Sequence, residues 1–451
     1  MPQFKPFSGK CVDISFEGKG VVKTLYGTCF VDGLFIGEEA EIEIQYKRAG
    51  SFFGKVRRLI KKSNDRIQPL CGVCTACGGC QFQQYAYSAQ LKYKTNKVKN
   101  AFKRHNINVE VLDTIGMENP YEYRNKIQVP IGRDPHGHIV SGFYRSGTHK
   151  IIPIDKCYIE NPKASEIITQ FKRLIKDFRY EPYNEDTGYG LFRHILIRTS
   201  YHYDDVMVTL VTTKDEFKGK NNFVQEFIKR CPNIKCIVQN INPRDTNVIL
   251  GEKERVLYGS GHIKDSILGV DFLISSKSFF QVNPVQVEVL YSKALEFAEL
   301  TKKDKVFDAY CGIGTISLIA SKQADSVVGV EIVKEAIIDA KRNAKLNKID
   351  NVEFICDDVV NAFENFYDNK KEFSVVFVDP PRKGLDEKVV NTLLIIKPKK
   401  IVYVSCDPET LARDVELLSK SYDIKRVQPV DMFPMTFHVE TICALSFKGQ
   451  K

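Results

Sequence analysis

Near the C-terminus, one cysteine and one glutamate have the makings of a nucleophile and a base. In KKIVYVSCDPETLARD, Cys406 directly follows the apolar run IVYV, so it sits where a strand ends and a loop opens. Many cysteines are simply small buried hydrophobes, and position alone does not separate the two readings. In DMFPMTFHVETICALSF, Glu440 stands among apolar residues, where burial raises a carboxyl pKa and suits it to accepting a proton. The bland alternative is an ion-paired structural glutamate. His438 lies two positions earlier, on the same face if the segment is a strand. Together a thiolate and a carboxylate suit methylation at carbon 5 of a uracil. The thiolate adds to carbon 6 and makes carbon 5 an enolate nucleophile, and the base later removes the carbon 5 proton so that the thiolate can leave.

The methyl donor needs a pocket, and KVFDAYCGIGTISLIA reads as strand, glycine turn and helix start. Glu331 ends the next strand, 19 residues after Gly312, a spacing that places an acid on ribose hydroxyls. A dinucleotide fits less well, because Ser317 replaces the third glycine and Asp308 precedes the turn. A carboxylate there repels a pyrophosphate but can receive the ammonium of a methionine moiety, which favours S-adenosylmethionine. In FSVVFVDPPRKG, Asp379 ends an apolar strand before two prolines, at the strand edge where open α/β sheets bind ligands. A turn-forming aspartate is the plainer reading.

These residues require a doubly wound, Rossmann-like α/β domain, and after about residue 270 strands and helices alternate accordingly. Residues 121–260 carry strand-like runs such as NKIQVPIG, HILIRTS, DVMVTLVT and KCIVQNIN, which predict an antiparallel-rich central domain. Five short glycine-split strands between about residues 8 and 60 predict a small closed OB-like β-barrel. IKKSNDRIQP reads as a linker, and residues 85–105 as a helix able to pack on the catalytic domain. The expected division is 1–62, 63–270 and 271–451.

The chain has 451 residues, with 66 Lys and Arg against 56 Asp and Glu, a net charge of +10. Clustered cations such as KVRRLIKKSNDR suit phosphates. No apolar run is long enough for a membrane span and the start lacks a signal-peptide core, which predicts a cytoplasmic location. Four of 13 cysteines fall together, at Cys71, Cys74, Cys77 and Cys80, in the pattern of a metal site. On residue chemistry alone, zinc on these four remains open.

In order and spacing, SFFQVN (278–283), DAYCGIGTISL, VDPPRKG, YVSCDPETLARD and DMFPMTFHVE resemble the motif series of the bacterial RNA uracil-5-methyltransferases. The resemblance spans about the last 175 residues. It implies Cys406 as nucleophile and Glu440 as base. It further implies Gln281, Tyr310, Glu331 and Asp379 as ligands of S-adenosylmethionine, with Thr315 and Asp358 at weaker matches. The amino-terminal barrel resembles a TRAM domain, and the cysteines resemble the 23S ribosomal RNA branch of the family. That branch implies a [4Fe-4S] cluster on Cys71, Cys77, Cys80 and Cys157, leaving Cys74 spare. The radical-type spacing Cys-x3-Cys-x2-Cys is absent, so no radical step is expected. The expected partner is RNA, 23S ribosomal RNA foremost, with no DNA, no membrane and a monomeric enzyme. A transfer RNA uracil-5-methyltransferase is the nearer alternative, disfavoured by the barrel and cysteines that its branch generally lacks. A noncatalytic RNA-binding assembly factor is the further one, disfavoured by the presence of both Cys406 and Glu440. The target base must leave its stack. Phe143, Phe279 and Phe280 are stacking candidates whose plainer reading is core, and Arg145, Arg193, Arg382 and Lys383 are phosphate candidates.

Overall fold

The computed structural model describes residues 5–25, 27–145, 148–244, 248–369 and 371–449; the outer ends of the first and last expected units, 1–4 and 450–451, lie outside the described residues. Strands β1 (Phe7–Ile14), β2 (Gly20–Thr24), β3 (Gly27–Asp32), β4 (Glu39–Arg48) and β5 (Ser51–Lys61) close into a barrel of order β1-β2-β3-β5-β4. Alternation turns Cys11, Val22, Cys29, Val31 and Ile42 inward. Gly20 is required where the wall folds over, since a Cβ there would meet the Leu34 carbonyl oxygen at 2.4 Å.

The segment expected as a linker is pinned instead. Arg66 forks onto the buried Glu38 at 2.5 and 2.7 Å and lies 4.6 Å over the Phe35 ring. Such bidentate, ring-stacked geometry holds the chain after the barrel in one place. Phe35 in turn stacks on Tyr85 at 4.5 Å, starting an aromatic cluster that leads into helix α1 (Tyr87–Arg104).

The central sheet has the order β12-β11-β10-β9-β6-β7-β8. Its strands are β6 (Lys126–Arg133), β7 (Ile139–Tyr144), β8 (Ile151–Pro153), β9 (Phe192–Thr199), β10 (Val206–Thr212), β11 (Ile234–Ile241) and β12 (Lys253–Tyr258). All its pairings are antiparallel except β10 with β11. That parallel pair needs a crossover, supplied by α3 (Lys220–Arg230). Helix α2 (Pro162–Asp177) was not foreseen. Its cause is nonetheless local: Asn161 accepts from the Lys163 N–H, Pro162 opens the first turn, and Ala164, Ile167, Ile168, Phe171, Leu174 and Ile175 form one buried stripe.

Hairpin β13 (Ile263–Ile267) and β14 (Val270–Ile274) leads to α4 (Pro284–Ala298) and the last sheet, of order β17-β16-β15-β18-β19-β21-β20. Its strands are β15 (Lys305–Ala309), β16 (Ser326–Glu331), β17 (Val352–Cys356), β18 (Val375–Val378), β19 (Lys400–Ser405), β20 (Tyr422–Val430) and β21 (Glu440–Phe447). Helices α5 (Thr315–Ser321), α6 (Lys334–Leu346), α7 (Val359–Asp368), α8 (Glu387–Ile396) and α9 (Pro408–Leu418) follow successive strands. The first five strands are parallel and β21 is inserted antiparallel between β19 and β20. The chain switches direction between β15 and β18, which opens a crevice at their carboxyl ends. This is the doubly wound α/β domain, N-terminal barrel and strand-rich middle that the sequence predicts.

Helix α1 packs on α9 and holds the loop before β21. Lys94, fully buried, donates to Asp431 at 2.5 Å and to the Phe433 carbonyl at 3.1 Å, while the Tyr87 hydroxyl donates to Asp431 at 2.9 Å. No helix of the described residues is long and apolar enough to cross a membrane.

Candidate active site

Cys406 occupies a strand-to-helix turn built by its neighbours. The Asp407 N–H donates to Ser405 Oγ at 3.2 Å, and Asp407 caps α9 by accepting from the Glu409 N–H at 2.9 Å. Across the sheet, β19 pairs with β21 in the register Ser405 to Thr441. Cys406 and Glu440 are therefore the next residues on facing strands. Both line a cleft of about 1050 Å³ at the carboxyl ends of the strands.

The same cleft collects Gln281, Tyr310, Thr315, Glu331, Asp358 and Asp379. Tyr310 is held in the left-handed region at φ 64° and Gly314 at φ 83°; a Cβ on Gly314 would meet the Phe354 ring at 2.6 Å. A Cβ on Gly312 would touch nothing within 4 Å, so this turn leaves open space beside Glu331. Glu331 already accepts from the Gly312 N–H at 3.3 Å and the Val333 N–H at 3.0 Å, which orients its carboxylate along the turn. Asp358 caps α7 through the Val360 N–H at 2.8 Å.

Several expectations change. Asp308 does not line the cleft: it is buried behind it, accepting from Ser317 Oγ at 2.5 Å, while its other oxygen has no partner among the described residues. The cleft carboxylate suited to an ammonium is Asp379. His438 lies in the loop before β21 rather than on the strand, yet it faces the same cleft. Phe279 is 71% exposed and lines the cleft, whereas its neighbour Phe280 is core. Phe143 packs on the central core, and Arg193 is buried with its Nη1 donating to the Asn242 carbonyl at 3.2 Å. Arg382 and Lys383 line the cleft, and Arg145 is exposed elsewhere. Sequence reading missed Tyr291 of α4, a buried residue that lines the cleft with its hydroxyl near Thr315 and Gln281. Its helical position gave it the look of core.

The cleft is rich in acids. Burial pushes Asp379 up to about 7 and Glu440 up to about 8, with Asp379 adding to the latter. Asp308, behind the wall, rises to about 7 through burial and then the Asp379 and Glu331 carboxylates. Cys406 is pushed to about 12 by burial and then by Glu440, and the Arg382 guanidinium opposes both shifts. Several acids that cannot all ionise without a counter-charge make a site for a cationic ligand. The sulfonium and ammonium of S-adenosylmethionine fit that demand, and the open turn beside Glu331 fits an adenosine.

A second groove, of about 640 Å³, reaches Cys406 from the side of the barrel. It is lined by Cys74, Cys77 and Cys80, by Lys97, and by Arg382 and His438, which are shared with the cleft. All five thiols of this region, Cys157 included, are free. Cys80 and Cys157 pack in one small cluster with Tyr123 and Met435. Burial holds the Cys80 thiol up to about 12, and the nearby Cys77, Cys71 and Cys74 add to the shift. Among the described residues no three Cys, His, Asp or Glu side chains are gathered closely enough to hold a metal ion. The donor set, soft thiols free of disulfides, suits iron-sulfur or zinc chemistry.

Residues 86–448 match the family model of tRNA (uracil-5-)-methyltransferases. An uncharacterized RNA methyltransferase of Halalkalibacterium halodurans is 44% identical over 440 residues, covering 97% of this chain and 96% of the relative. Another, from Clostridium acetobutylicum, is 46% identical over 435 residues, 95% and 94% of the two chains. Among solved structures, the Pyrococcus abyssi tRNA (uracil-54, C5)-methyltransferase in complex with S-adenosyl-L-homocysteine is 29% identical. It superposes with a TM-score of 0.77 over 97% of this chain and 99% of its own.

Proposed function

The chain belongs to the tRNA (uracil-5-)-methyltransferase family, and from that premise we propose that it methylates carbon 5 of a uridine in 23S ribosomal RNA, with Cys406 as nucleophile and Glu440 as base. The observation that carries the reaction is the placement of Cys406 and Glu440 on facing strands at the mouth of one acid-rich cleft.

S-adenosylmethionine, when bound in the cleft, would supply an electrophilic methyl group on a sulfonium. Gln281, Tyr310, Thr315, Glu331, Asp358 and Asp379, which line the cleft, would hold it. Arg382 favours the Cys406 thiolate, whose proton leaves through the open groove. The sulfur adds to carbon 6 of the uracil, the ring electrons shift to carbon 5, and carbon 5 would take the methyl as its bond to the sulfonium sulfur breaks and S-adenosylhomocysteine leaves. Glu440 then accepts the carbon 5 proton, the carbon-sulfur bond breaks, and Cys406 departs as thiolate. Phe279 offers a ring on which the extruded base can stack.

In this reading residues 1–62 form a TRAM-type RNA-binding unit, 63–270 a central unit with the cysteine site, and 271–451 the catalytic unit of a cytoplasmic monomer. Cys71, Cys77, Cys80 and Cys157 hold a [4Fe-4S] cluster that braces the central unit without taking part in methyl transfer. Zinc on Cys71, Cys74, Cys77 and Cys80 is the alternative, and visible absorbance against zinc content of purified protein separates them.

A transfer RNA target is the second reading, favoured by one observation. The Pyrococcus abyssi enzyme, described as acting on tRNA, matches this chain nearly end to end, so a full-length match extending through the amino-terminal region does not by itself favour ribosomal RNA. What supports ribosomal RNA is the cysteine spacing. Mapping 5-methyluridine in both RNAs from cells with and without the gene tests the assignment. Loss from 23S RNA supports it, loss from tRNA moves it to the second reading, and loss from neither defeats both.

A further inference from the structure

We propose that the outer side of the central sheet carries a second RNA-binding groove, remote from Cys406, which grips the phosphate backbone of RNA flanking the target. It rests on the reading that the substrate is RNA.

Two adjoining hollows form the groove. One, of about 540 Å³, runs along α2, where Arg173, Lys176 and Arg179 stand exposed. Among the described residues none of the three pairs with a carboxylate. The acids nearby are engaged: Asp177 holds Arg230 at 2.8 Å, and Glu181 forks onto Arg133 at 2.6 and 2.8 Å. Arg133 and Glu181 also line the second hollow, of about 1010 Å³. There the Arg193 guanidinium, only 4% exposed, lies 4.7 Å over the Tyr183 ring, and among the described residues its Nε–H has no partner. A buried N–H left unpaired costs free energy that an incoming acceptor would recover. His149 and Lys150 stand on the rim of the same hollow. Of its acids, Glu185 is held by His149 at 3.1 Å and Asp134 by the His138 N–H at 2.8 Å, while Asp186 stands exposed on the rim.

A file of unpaired cations leading to a stacked, under-satisfied arginine is complementary to successive phosphates with a ribose or base at the inner end. Neither hollow shares a lining residue with the cleft or the groove at Cys406. The groove therefore anchors RNA outside the reacting nucleotide, and its contribution falls on substrate binding, not on chemistry.

The test is the full-length Arg173→Glu/Lys176→Glu/Arg179→Glu variant, with Lys341→Glu/Lys345→Glu/Lys348→Glu on and beside α6 as a charge-matched control. The probes are protein-free 23S ribosomal RNA, total transfer RNA, and a short fragment containing the methylated uridine. The groove variant should bind S-adenosylhomocysteine normally and keep kcat. Its KM for the long RNA should rise at least tenfold, and the slope of log affinity against log salt should flatten by about 2 to 3. The short fragment and the control variant should behave as wild type. Equal KM on long RNA for variant and wild type, an equal loss on long and short RNA, or an equal loss in the control would overturn the groove. A variant that loses S-adenosylhomocysteine binding is replaced by Arg193→Gln, read the same way. Filter binding separates the two readings. A wild type that binds long RNA through the groove but methylates no uridine defeats the methylation reading alone. A wild type that methylates while the variant binds equally well defeats the groove alone.

Discussion

Cys406 and Glu440 stand at the facing ends of adjacent antiparallel strands, one step beyond the paired Ser405 and Thr441. A ladder fixes such a pair more firmly than any loop can, because both faces of β19 and β21 are packed and a register slip would exchange the residues of two different core clusters. Val402, Val404, Ile442 and Cys443 are all fully or almost fully buried, so packing of the sheet core holds the thiol and the carboxyl opposite each other.

Arg382 is the cation that both groups feel. Arg382→Ala should raise the pKa of the thiol and the carboxyl together. Both act in their ionised forms, so kcat at pH 7 should fall about tenfold for each pKa unit and partly recover as the pH is raised. A pH-rate profile of the variant checks this, and an unshifted profile speaks against it.

Glu440 is held up to about 8, and a base must be deprotonated to work. Breakdown of the methylated adduct, followed in a single turnover, should accelerate as pH rises from 6 towards about 8 and then level off. In Glu440→Gln this rise should be absent at every pH.

Asp308 and Asp379 have similar pKa shifts but different positions, and their asparagine variants should differ. Each carboxyl is held at about 7 by burial in the folded state, far above its unfolded value. Such a group contributes stability below the unfolded pKa that is lost as pH rises through the folded one. Asp308→Asn should therefore stabilise the cofactor-free protein at pH 8, on the order of 1 to 3 kcal/mol, and have little effect near pH 4. Asp379→Asn lines the cleft and should weaken S-adenosylhomocysteine binding the more strongly of the two. Thermal melts at both pH values, with calorimetric titration, read the difference.

Lys94 and Asp431 form a fully buried ion pair joining α1 to the loop that carries Phe433 and His438. Lys94→Met leaves Asp431 buried with only the Tyr87 hydroxyl and the Phe433 N–H. The expected loss is about 3 to 5 kcal/mol. Adding Asp431→Asn should restore much of it, as denaturant unfolding of both variants would show.

Much of the fold was legible because apolar runs of strand length carry their own signal: IVYV, SVVGVE and FSVVFVD became β19, β16 and β18. The residues singled out around Cys406 gather in one cleft because they sit at strand ends of one sheet edge, which sequence spacing reveals. What stayed hidden depends on orientation. Phe279 and Phe280 are identical in type, and only the packed chain decides which faces the cleft. Tyr291 carries a helical spacing that reads as core, and Asp308 alternates with its neighbours to the far side of the wall. Arg193 is a phosphate candidate by residue type alone; β9 is buried along its whole length, so the guanidinium is held inside, bonded to the Asn242 carbonyl and stacked on Tyr183, and not laid open on the surface. Helix α2 was overlooked although Asn161 and Pro162 mark its start, since the strand-like runs on either side drew the reading of the region.

The central claim is that the thiol of Cys406 forms a bond to the base and the carboxyl of Glu440 releases it. The direct measurement is mass spectrometry of intact protein after incubation with S-adenosylmethionine and RNA, using 5-fluorouridine RNA for Cys406→Ala and ordinary RNA for Glu440→Gln. Wild type should give a stable adduct with the fluorinated RNA, Cys406→Ala none, and Glu440→Gln a methylated adduct that persists on unmodified RNA. An adduct in Cys406→Ala, or free methylated product at wild-type rate from Glu440→Gln, would contradict the assignment.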